Sequence, residues 1–405
     1  MVVCERGIGM RVAIVGGKLQ GVEATYLAKK AGWEVILVDK NAWVPAVELC
    51  DQLYSLDVTK VVEWIPFLKG IDLIIPALEN QEALDSLVRS AHYASVPILF
   101  DGDAYAISSS KLSSNEMFAR TGVPAPIPWP ECGFPIIVKP SSASGSEGVY
   151  KVKSAYEFQQ LFEKGLTDWV IEEYLEGPSY SLEVIGFAGV YKVLQITELQ
   201  MDEVYDCKRV VGSAVLSDKL KGEFEEIGLN LARNLKLNGI MDIETILHQG
   251  QLKVLEIDAR LPSQTPIAVY HATGINMLEI LGKAFVQGEP WQEFEVKENR
   301  GVIFEHIHVF DDSLEILGEH IMADAGPLHL YEDFFGADEV LTNYIPGKTE
   351  WVATLIISGV NSQAAWEKRC SVIQEIRNEW GIRHYFDRCP VNEDHDKVLR
   401  SASGS

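Results

Sequence analysis

Basic residues are scarce in this chain of 405 residues. Lys and Arg number 35 against 59 Asp and Glu, a formal net charge of −24 at neutral pH. That deficit excludes general nucleic-acid binding, which requires a basic patch to neutralise phosphate. It favours cationic small molecules only weakly, because acidic surfaces mostly serve solubility. No apolar run reaches the length of a membrane span, and the first residues lack a signal-peptide hydrophobic region, so no membrane partner is expected. Cysteine is sparse. Cys4, Cys50, Cys132, Cys207, Cys370 and Cys389 are scattered, with no CxxC pair and no zinc spacing, which makes a reduced cytoplasm the expected location. Internal repeats are absent, and so is the G-x-x-x-x-G-K-[ST] phosphate loop.

What is present is a soluble globular composition, 47% hydrophobic and 23% charged. The length exceeds one ordinary core and implies roughly two to four domains. The first hundred residues alternate strand and helix: Val12–Val15, a glycine turn Gly16–Gly21, a helix to about Lys30, Glu34–Val38 ending in Asp39, then Leu73–Pro76 and Pro97–Phe100. This pattern predicts a parallel, doubly wound sheet. The turn invites a dinucleotide reading with Asp39 on a ribose, and hence an NAD-dependent oxidoreductase as one alternative. Gly16, Gly17 and Gly21 nevertheless leave no glycine at the central position of G-x-G-x-x-G. A tight connection, or a helix N-terminus approaching a small carboxylate, fits the turn as well. Met10, just before the strand-like Arg11–Val15, is a candidate start, and Ser401–Ser405 is expected to be disordered.

Past the first hundred residues, a helix from Asn115 to about Thr121 ends at Gly122. Five prolines between Pro124 and Pro135 then mark a domain connector. It leads into Ile136–Pro140, the Ser/Gly segment Ser141–Gly148, a helix Ser154–Lys164 and a strand Trp169–Leu175. Later strands are expected at Val302–Val309 and Trp351–Ile357, with a helix near Ala364–Trp380.

Two runs, Ile240–Leu247 and Leu252–Ile257, flank His248-Gln249-Gly250-Gln251 and read as a hairpin. Alternation puts Glu256, Asp258 and Arg260 on one face. A turn centred near Gly250 places Glu244 across from Glu256 and Asp242 across from Asp258. Like charges directly opposed destabilise a sheet, so the four carboxylates make sense around a divalent cation, with Mg²⁺ holding substrate phosphates the natural choice. An acidic solvent face is the plain alternative. Upstream, Lys139 enters from a buried strand and needs an anion. The Ser/Gly segment that follows offers backbone N–H groups and hydroxyls to phosphate. Strand-edge groups of Glu172-Glu173-Tyr174-Leu175 suit an adenine edge, and Lys111 offers a second cation.

In this order the motifs resemble the ATP-grasp superfamily: a lysine before the lid, Val138-Lys139-Pro140, a small Ser/Gly loop, Glu172-Glu173-Tyr174-Leu175-Glu176-Gly177, and Glu256-Ile257-Asp258-Ala259-Arg260 on a hairpin. The resemblance implies an α/β and α+β architecture. Its parts are an N-terminal doubly wound parallel-sheet domain (1–108), a lid subdomain (109–185) and a mixed-sheet subdomain carrying metal and substrate (186–300). A C-terminal extension (301–400) and the tail complete the chain. It also implies ATP and Mg²⁺ as cofactors. Lys111 and Lys139 would bind phosphates, Ser142, Ser144, Gly145 and Ser146 would close over them, and Glu172, Glu173, Tyr174 and Leu175 would hold adenine. Glu244, Glu256 and Asp258 would bind metal, and Arg260, with Lys139, would act in catalysis. Asp258 stands where most members have asparagine. Gly177-Pro178-Ser179 stands where many place a ribose-binding glutamate.

Within that superfamily, Gly16–Gly21, Ser181–Gly186, Tyr205-Asp206-Cys207, Gly239–Asp242 and Pro262–Pro266 are similar to the pyrrolysine-biosynthesis ligase family. Its members join 3-methyl-D-ornithine to the ε-amine of L-lysine. The similarity makes Leu19, Gln20, Glu79, Glu183, Asp206, Arg260 and Ser263 substrate-binding candidates, with Glu183 or Asp206 accepting the amine proton. Another ATP-grasp amino-acid ligase or a carboxylase is the rival within the superfamily. Residues 301–400 are a candidate dimer surface or active-site cover.

Overall fold

The computed structural model describes residues 9–142, 148–161, 168–294, 296 and 299–389. Strands β1 (Arg11–Val15), β2 (Glu34–Asp39), β3 (Gln52–Ser55) and β4 (Leu73–Pro76) form a parallel sheet in the order β3-β2-β1-β4. Helices α1 (Leu19–Lys30), α2 (Val61–Phe67) and α3 (Gln81–Ala94) connect them. Alternate residues of β1 serve opposite faces: Val12 and Ile14 pack on the α1 side, Ala13 and Val15 with Trp64 of α2 and Leu87 of α3. Both faces are covered, as a doubly wound sheet requires. The expected strand Pro97–Phe100 is reduced to a single parallel bridge between Ile98 and Ile74. It is caught between the left-handed C-cap of α3 at Ser95 and Asp101, whose side chain caps α4 (Gly102–Ser108), so no ladder can extend.

Helix α5 (Lys111–Thr121) is capped by Ser110 and stops at Gly122 in the left-handed region. A three-stranded antiparallel sheet follows: β5 (Ile136–Pro140) lies between β6 (Tyr150–Val152) and β7 (Trp169–Glu173), with α6 (Ala155–Leu161) between β6 and β7 in sequence.

The remaining strands build one large sheet. They are β8 (Ser179–Phe187), β9 (Val190–Met201), β10 (Cys207–Gly212), β11 (Gly239–His248), β12 (Gln251–Asp258), β13 (Gly301–Phe310), β14 (Ser313–Leu317), β15 (His329–Phe334), β16 (Ala337–Thr342), β17 (Trp351–Gly359) and β18 (His384–Phe386). The main path runs β12-β11-β8-β9-β10-β13-β17-β16-β15; its pairs are antiparallel, and only β14–β18 is parallel. Residues after 300 therefore continue the same sheet as the acidic hairpin. Helices α7 (Asp218–Leu235), α8 (Thr265–Thr273), α9 (Met277–Gln287), α10 (His320–Ala323) and α11 (Ser362–Trp380) complete the chain. Leu182 and Val184 of β8, Met241 and Ile243 of β11, and Val254 and Ile257 of β12 share a core with Phe224 and Leu231 of α7. The intervening residues of these strands face the other way, and they build the site. Among the described residues no helix is long and apolar enough to cross a membrane.

Candidate active site

The hairpin turn comprises Gln249 (φ 50°) and Gly250 (φ 83°), a pair of left-handed residues that suits the twist of the flanking strands. Antiparallel register then aligns polar residues in two rows across three strands. One row is Ser181–Glu244–Glu256, the other Glu183–Asp242–Asp258. The acids raise one another's proton affinity. Burial, reinforced by Glu256, pushes Glu244 up to about 7. Burial, with Asp258 and Glu244 adding to it, puts Asp242 well above the usual carboxylate range. Asp258 is pushed up to about 6 by burial, with Arg260 opposing.

Three cations border the rows, each held by an acid. Lys111 Nζ, in the first turn of α5, lies 2.6 Å from Glu256 Oε1. Lys139 Nζ lies 2.6 Å from Glu172 Oε1, both side chains nearly inaccessible. The Arg260 guanidinium reaches Asp258 at 2.9 Å and Glu79 at 2.8 Å. The anion that the buried Lys139 demands is thus Glu172 of the neighbouring strand. Asn115 donates to the second oxygen of Glu172 at 3.2 Å.

Two clefts meet at these rows. The first measures about 920 Å³ with its open mouth included and is lined by Lys111, Lys139, Tyr174, Leu175, Ile246 and Leu255 among others. The second measures about 820 Å³ on the same basis and is lined by Asp206, Asp258, Arg260, Ser263, Glu319 and His320 among others. Glu244, Glu256, Met201 and Tyr205 line both. A largely apolar slot ending in two lysines suits a base with a phosphate tail. A strongly polar chamber beyond the paired acids suits a small zwitterion.

Lys111, Lys139, Glu172, Glu173, Tyr174 and Leu175 all line the first cleft. The edge of β7 expected to face adenine is instead occupied: Glu173 N–H donates to Ile127 O (2.8 Å), and Trp129 N–H to Ile171 O (3.0 Å). The Glu173 carboxylate is taken by Lys253 and the Ile127 N–H. Tyr174 donates its N–H to Pro135 O (3.3 Å) and, with Leu175, lines the first cleft. Ser142 is exposed just past β5, while Ser144, Gly145 and Ser146 lie outside the described residues, as does the Ser401–Ser405 tail.

Asp258, Arg260, Asp206 and Ser263 line the second cleft. Gln20 Nε2 donates to Glu79 at 2.9 Å, tying the start of α1 to Arg260 through one carboxylate. Leu19 lies in a smaller adjoining cavity with Ser263 and Glu319. Glu183 is fully buried and lines neither cleft. Its Oε1 accepts from Ser181 Oγ at 3.2 Å, its Oε2 has no hydrogen-bond partner among the described residues, and burial pushes it up to about 7.

Sequence reasoning missed Glu319 and His320. They enter the second cleft from the N-cap and first residue of α10, and no motif marks them. Glu319 is almost wholly enclosed and raised by burial, with one oxygen lacking a hydrogen-bond partner among the described residues.

The glycine turn has a structural explanation. The Asp39 carboxylate accepts from Gly17 N–H and Asn41 N–H at 2.8 Å each, so the acid expected on a ribose braces its own turn. Gly16 has φ +105°, and a Cβ there would meet Ala77 O at 2.3 Å. Gly21 lies inside α1 rather than in the turn.

The acids fit a divalent cation. Glu244 faces Glu256, and Asp242 faces Asp258. Among the described residues no group of three or more His, Cys, Asp or Glu side chains is arranged to hold a metal ion. Mg²⁺ that keeps water and binds through one or two carboxylates plus phosphate needs none.

A parallel-sheet domain, a small antiparallel lid sheet and a large sheet bearing acids under a lysine-lined cleft together define an ATP-grasp enzyme. Residues 108–264 match the ATP-grasp domain family, and residues 12–98 match the PylC-like N-terminal domain family. The 3-methyl-D-ornithine--L-lysine ligase of Methanosarcina barkeri is 36% identical over 375 residues, covering 91% of this chain and 98% of that protein. The Methanosarcina mazei enzyme of the same name is 39% identical over 317 residues, covering 77% and 82%. The chain belongs to this PylC-like ligase family of the ATP-grasp superfamily. Among solved structures, the biotin carboxylase domain of Hydrogenobacter thermophilus 2-oxoglutarate carboxylase, in complex with MgADP and bicarbonate, superposes with a TM-score of 0.72 at 15% identity, covering 91% of this chain and 90% of that one. An L-amino acid ligase from Bacillus licheniformis gives 0.67 at 15% identity, covering 91% and 98%. At such identities the likeness is one of fold.

Proposed function

We propose that this chain uses ATP to join the carboxylate of 3-methyl-D-ornithine to the ε-amine of L-lysine, through an acyl phosphate, in pyrrolysine biosynthesis. One observation carries the chemistry: the lysine-lined cleft and the polar cleft adjoin at Glu244 and Glu256, so a γ-phosphate on one side abuts a carboxylate on the other. The choice of substrates rests on the Methanosarcina relatives.

In this reading Tyr174 and Leu175 flank adenine, while Lys111 and Lys139 exchange their carboxylate partners for phosphate oxygens. Mg²⁺ would draw one or two ligands from among Glu244, Glu256 and Asp258 and would neutralise phosphate charge. Transfer forms a bond from a substrate carboxylate oxygen to phosphorus and breaks the bond to ADP. Arg260, held between Asp258 and Glu79, stabilises charge on the acyl group. The lysine ε-amine then attacks the acyl carbon, phosphate leaves and the amide forms. That amine starts mostly protonated, with an ordinary pKa near 10.4, and must lose a proton. Asp206 lines the polar cleft and Glu183 does not, which supports Asp206 as the nearer ammonium partner. A cytoplasmic location and a homodimeric assembly belong to the same proposal, and sedimentation of the purified protein tests the latter.

Purified protein given ATP, Mg²⁺, L-lysine and 3-methyl-D-ornithine should form ADP, phosphate and an amide-linked product. Folded protein that makes no amide with this pair would refute the substrate assignment. ATP turnover with bicarbonate in place of an amino acid would favour a carboxylase instead.

A further inference from the structure

The loop joining β9 to β10 carries a residue whose backbone and position are both unusual. Asp202 N–H donates to Asp206 O (3.0 Å) and Tyr205 N–H to Asp202 O (3.1 Å), which makes this a three-residue hairpin loop. In such loops the residue before the closing pair adopts the left-handed conformation, and glycine is its usual occupant. Here it is Tyr205, with φ +66°. A tyrosine in that conformation is strained and persists only where its surroundings over-determine it.

The surroundings do so. The Asp202 carboxylate accepts from Val204 N–H (2.9 Å) and Asp206 N–H (3.0 Å). The buried Lys208 ammonium bridges Asp202 (3.1 Å) and Asp206 (2.7 Å). Gly318 packs so tightly on the loop that a Cβ there would lie 2.2 Å from the Asp206 carboxylate. The loop is a braced knot, and what it presents is the Tyr205 ring. Tyr205 lines both clefts, as do Met201, Glu244 and Glu256. Tyr205 neighbours Tyr174 of the first cleft, over whose ring Lys151 Nζ sits at 3.4 Å.

We propose that Tyr205 is a positioning residue that screens the acyl phosphate from water and so couples ATP consumption to amide formation, a role that rests on the ligase reading above. The competing reaction is hydrolysis. A water oxygen bonds to the acyl carbon, the carbon–oxygen bond to phosphate breaks, and phosphate leaves as the carboxylate is regenerated and a proton is released. Closed sites suppress such losses by excluding water. A ring placed where the two clefts join blocks the approach of water along that junction. A strained tyrosine where glycine would be comfortable is the structural signature of that task.

The test measures ADP and amide formed by the full chain with ATP, Mg²⁺ and both amino acids, together with the melting temperature. Tyr205→Gly relieves the backbone and removes the ring. It should melt no lower than the parent protein while the ADP released per amide rises about tenfold or more. Tyr205→Asn, a second residue tolerant of the left-handed region, should do the same, and Tyr205→Phe should stay near the parent ratio. A purely structural tyrosine would lower the melting temperature and leave the ratio unmoved, and an unmoved ratio in both Tyr205→Gly and Tyr205→Asn overturns the proposal. A parent protein that consumes no ATP would overturn the ligase reading, and this role with it. One that ligates with an unchanged variant ratio would overturn only the role of Tyr205.

Discussion

Glu244 of β11 stands directly opposite Glu256 of β12, and a one-residue bulge at Leu255 puts it there. The two-residue turn pairs His248 with Gln251 and Thr245 with Val254. An unbroken ladder would then pair Glu244 with Leu255 and turn Glu256 toward the α7 core. The bulge resets the alternation, so Glu256 and Asp258 return to the cleft face and Ile257 to the core. Opposed acids destabilise a sheet, a cost that a bound cation would reverse.

Glu256→Gln should lower kcat at least about 100-fold, because it removes a metal-holding oxygen and the partner of Lys111. The melting temperature should change little, since relief of the Glu244 repulsion offsets the lost ion pair. Steady-state kinetics beside a thermal melt checks both. A normal rate would show that the paired acids hold no metal.

The Lys139–Glu172 pair makes a different prediction, about charge burial. Lys139→Met strands a buried carboxylate and should destabilise by about 3–5 kcal/mol. Adding Glu172→Gln should restore most of that stability and none of the activity. Chemical denaturation of both variants decides it; full activity in the stable double variant would remove Lys139 from phosphate binding.

Arg260 contacts two acids from different elements, Glu79 and Asp258. Lysine would keep the charge and lose the planar fork. Arg260→Lys should therefore cost kcat about 100-fold while leaving the KM for ATP near its parent value. A raised KM for ATP with normal kcat would place Arg260 on the nucleotide instead.

Glu183 gives stability a pH dependence. Its folded-state proton affinity is raised by burial from an ordinary 4.5 to about 7. The folded chain therefore binds a proton there more tightly than the unfolded chain, and that stabilisation, complete below about 4.5, is lost as pH rises through about 7. Glu183→Gln should melt like the parent near pH 4.5 and be more stable by on the order of 1–3 kcal/mol above pH 8. Melts of the substrate-free protein across that range measure the difference. No difference at high pH would mean that the Glu183 charge is compensated.

Much of this was legible in the chain. Helix α5 ended at Gly122 as expected, because a left-handed C-cap is a local property of glycine. The opposition of Glu244 to Glu256 was also anticipated, by a route that centred the turn on Gly250. The observed turn spans Gln249 and Gly250, and the bulge makes up the difference. Pro97–Phe100 failed as a strand because its apolar pattern says nothing of how little chain lies between two helix caps. Lys139 was rightly expected to need an anion, but its partner is a carboxylate two strands along in sequence.

Composition, alternation and turn chemistry by themselves determined the parallel N-terminal sheet, the acidic hairpin and the order of lysines, hinge and carboxylates, because each is encoded within a few residues. The tertiary structure alone decided that β13 pairs with β10, that Glu319 and His320 enter the polar cleft, that Glu183 sits behind it, and that Tyr205 stands where two clefts join. Those facts depend on contacts between segments far apart in the chain. Such pairings are selected by the burial of whole faces and the closure of long loops, and neither leaves a signature in the local pattern.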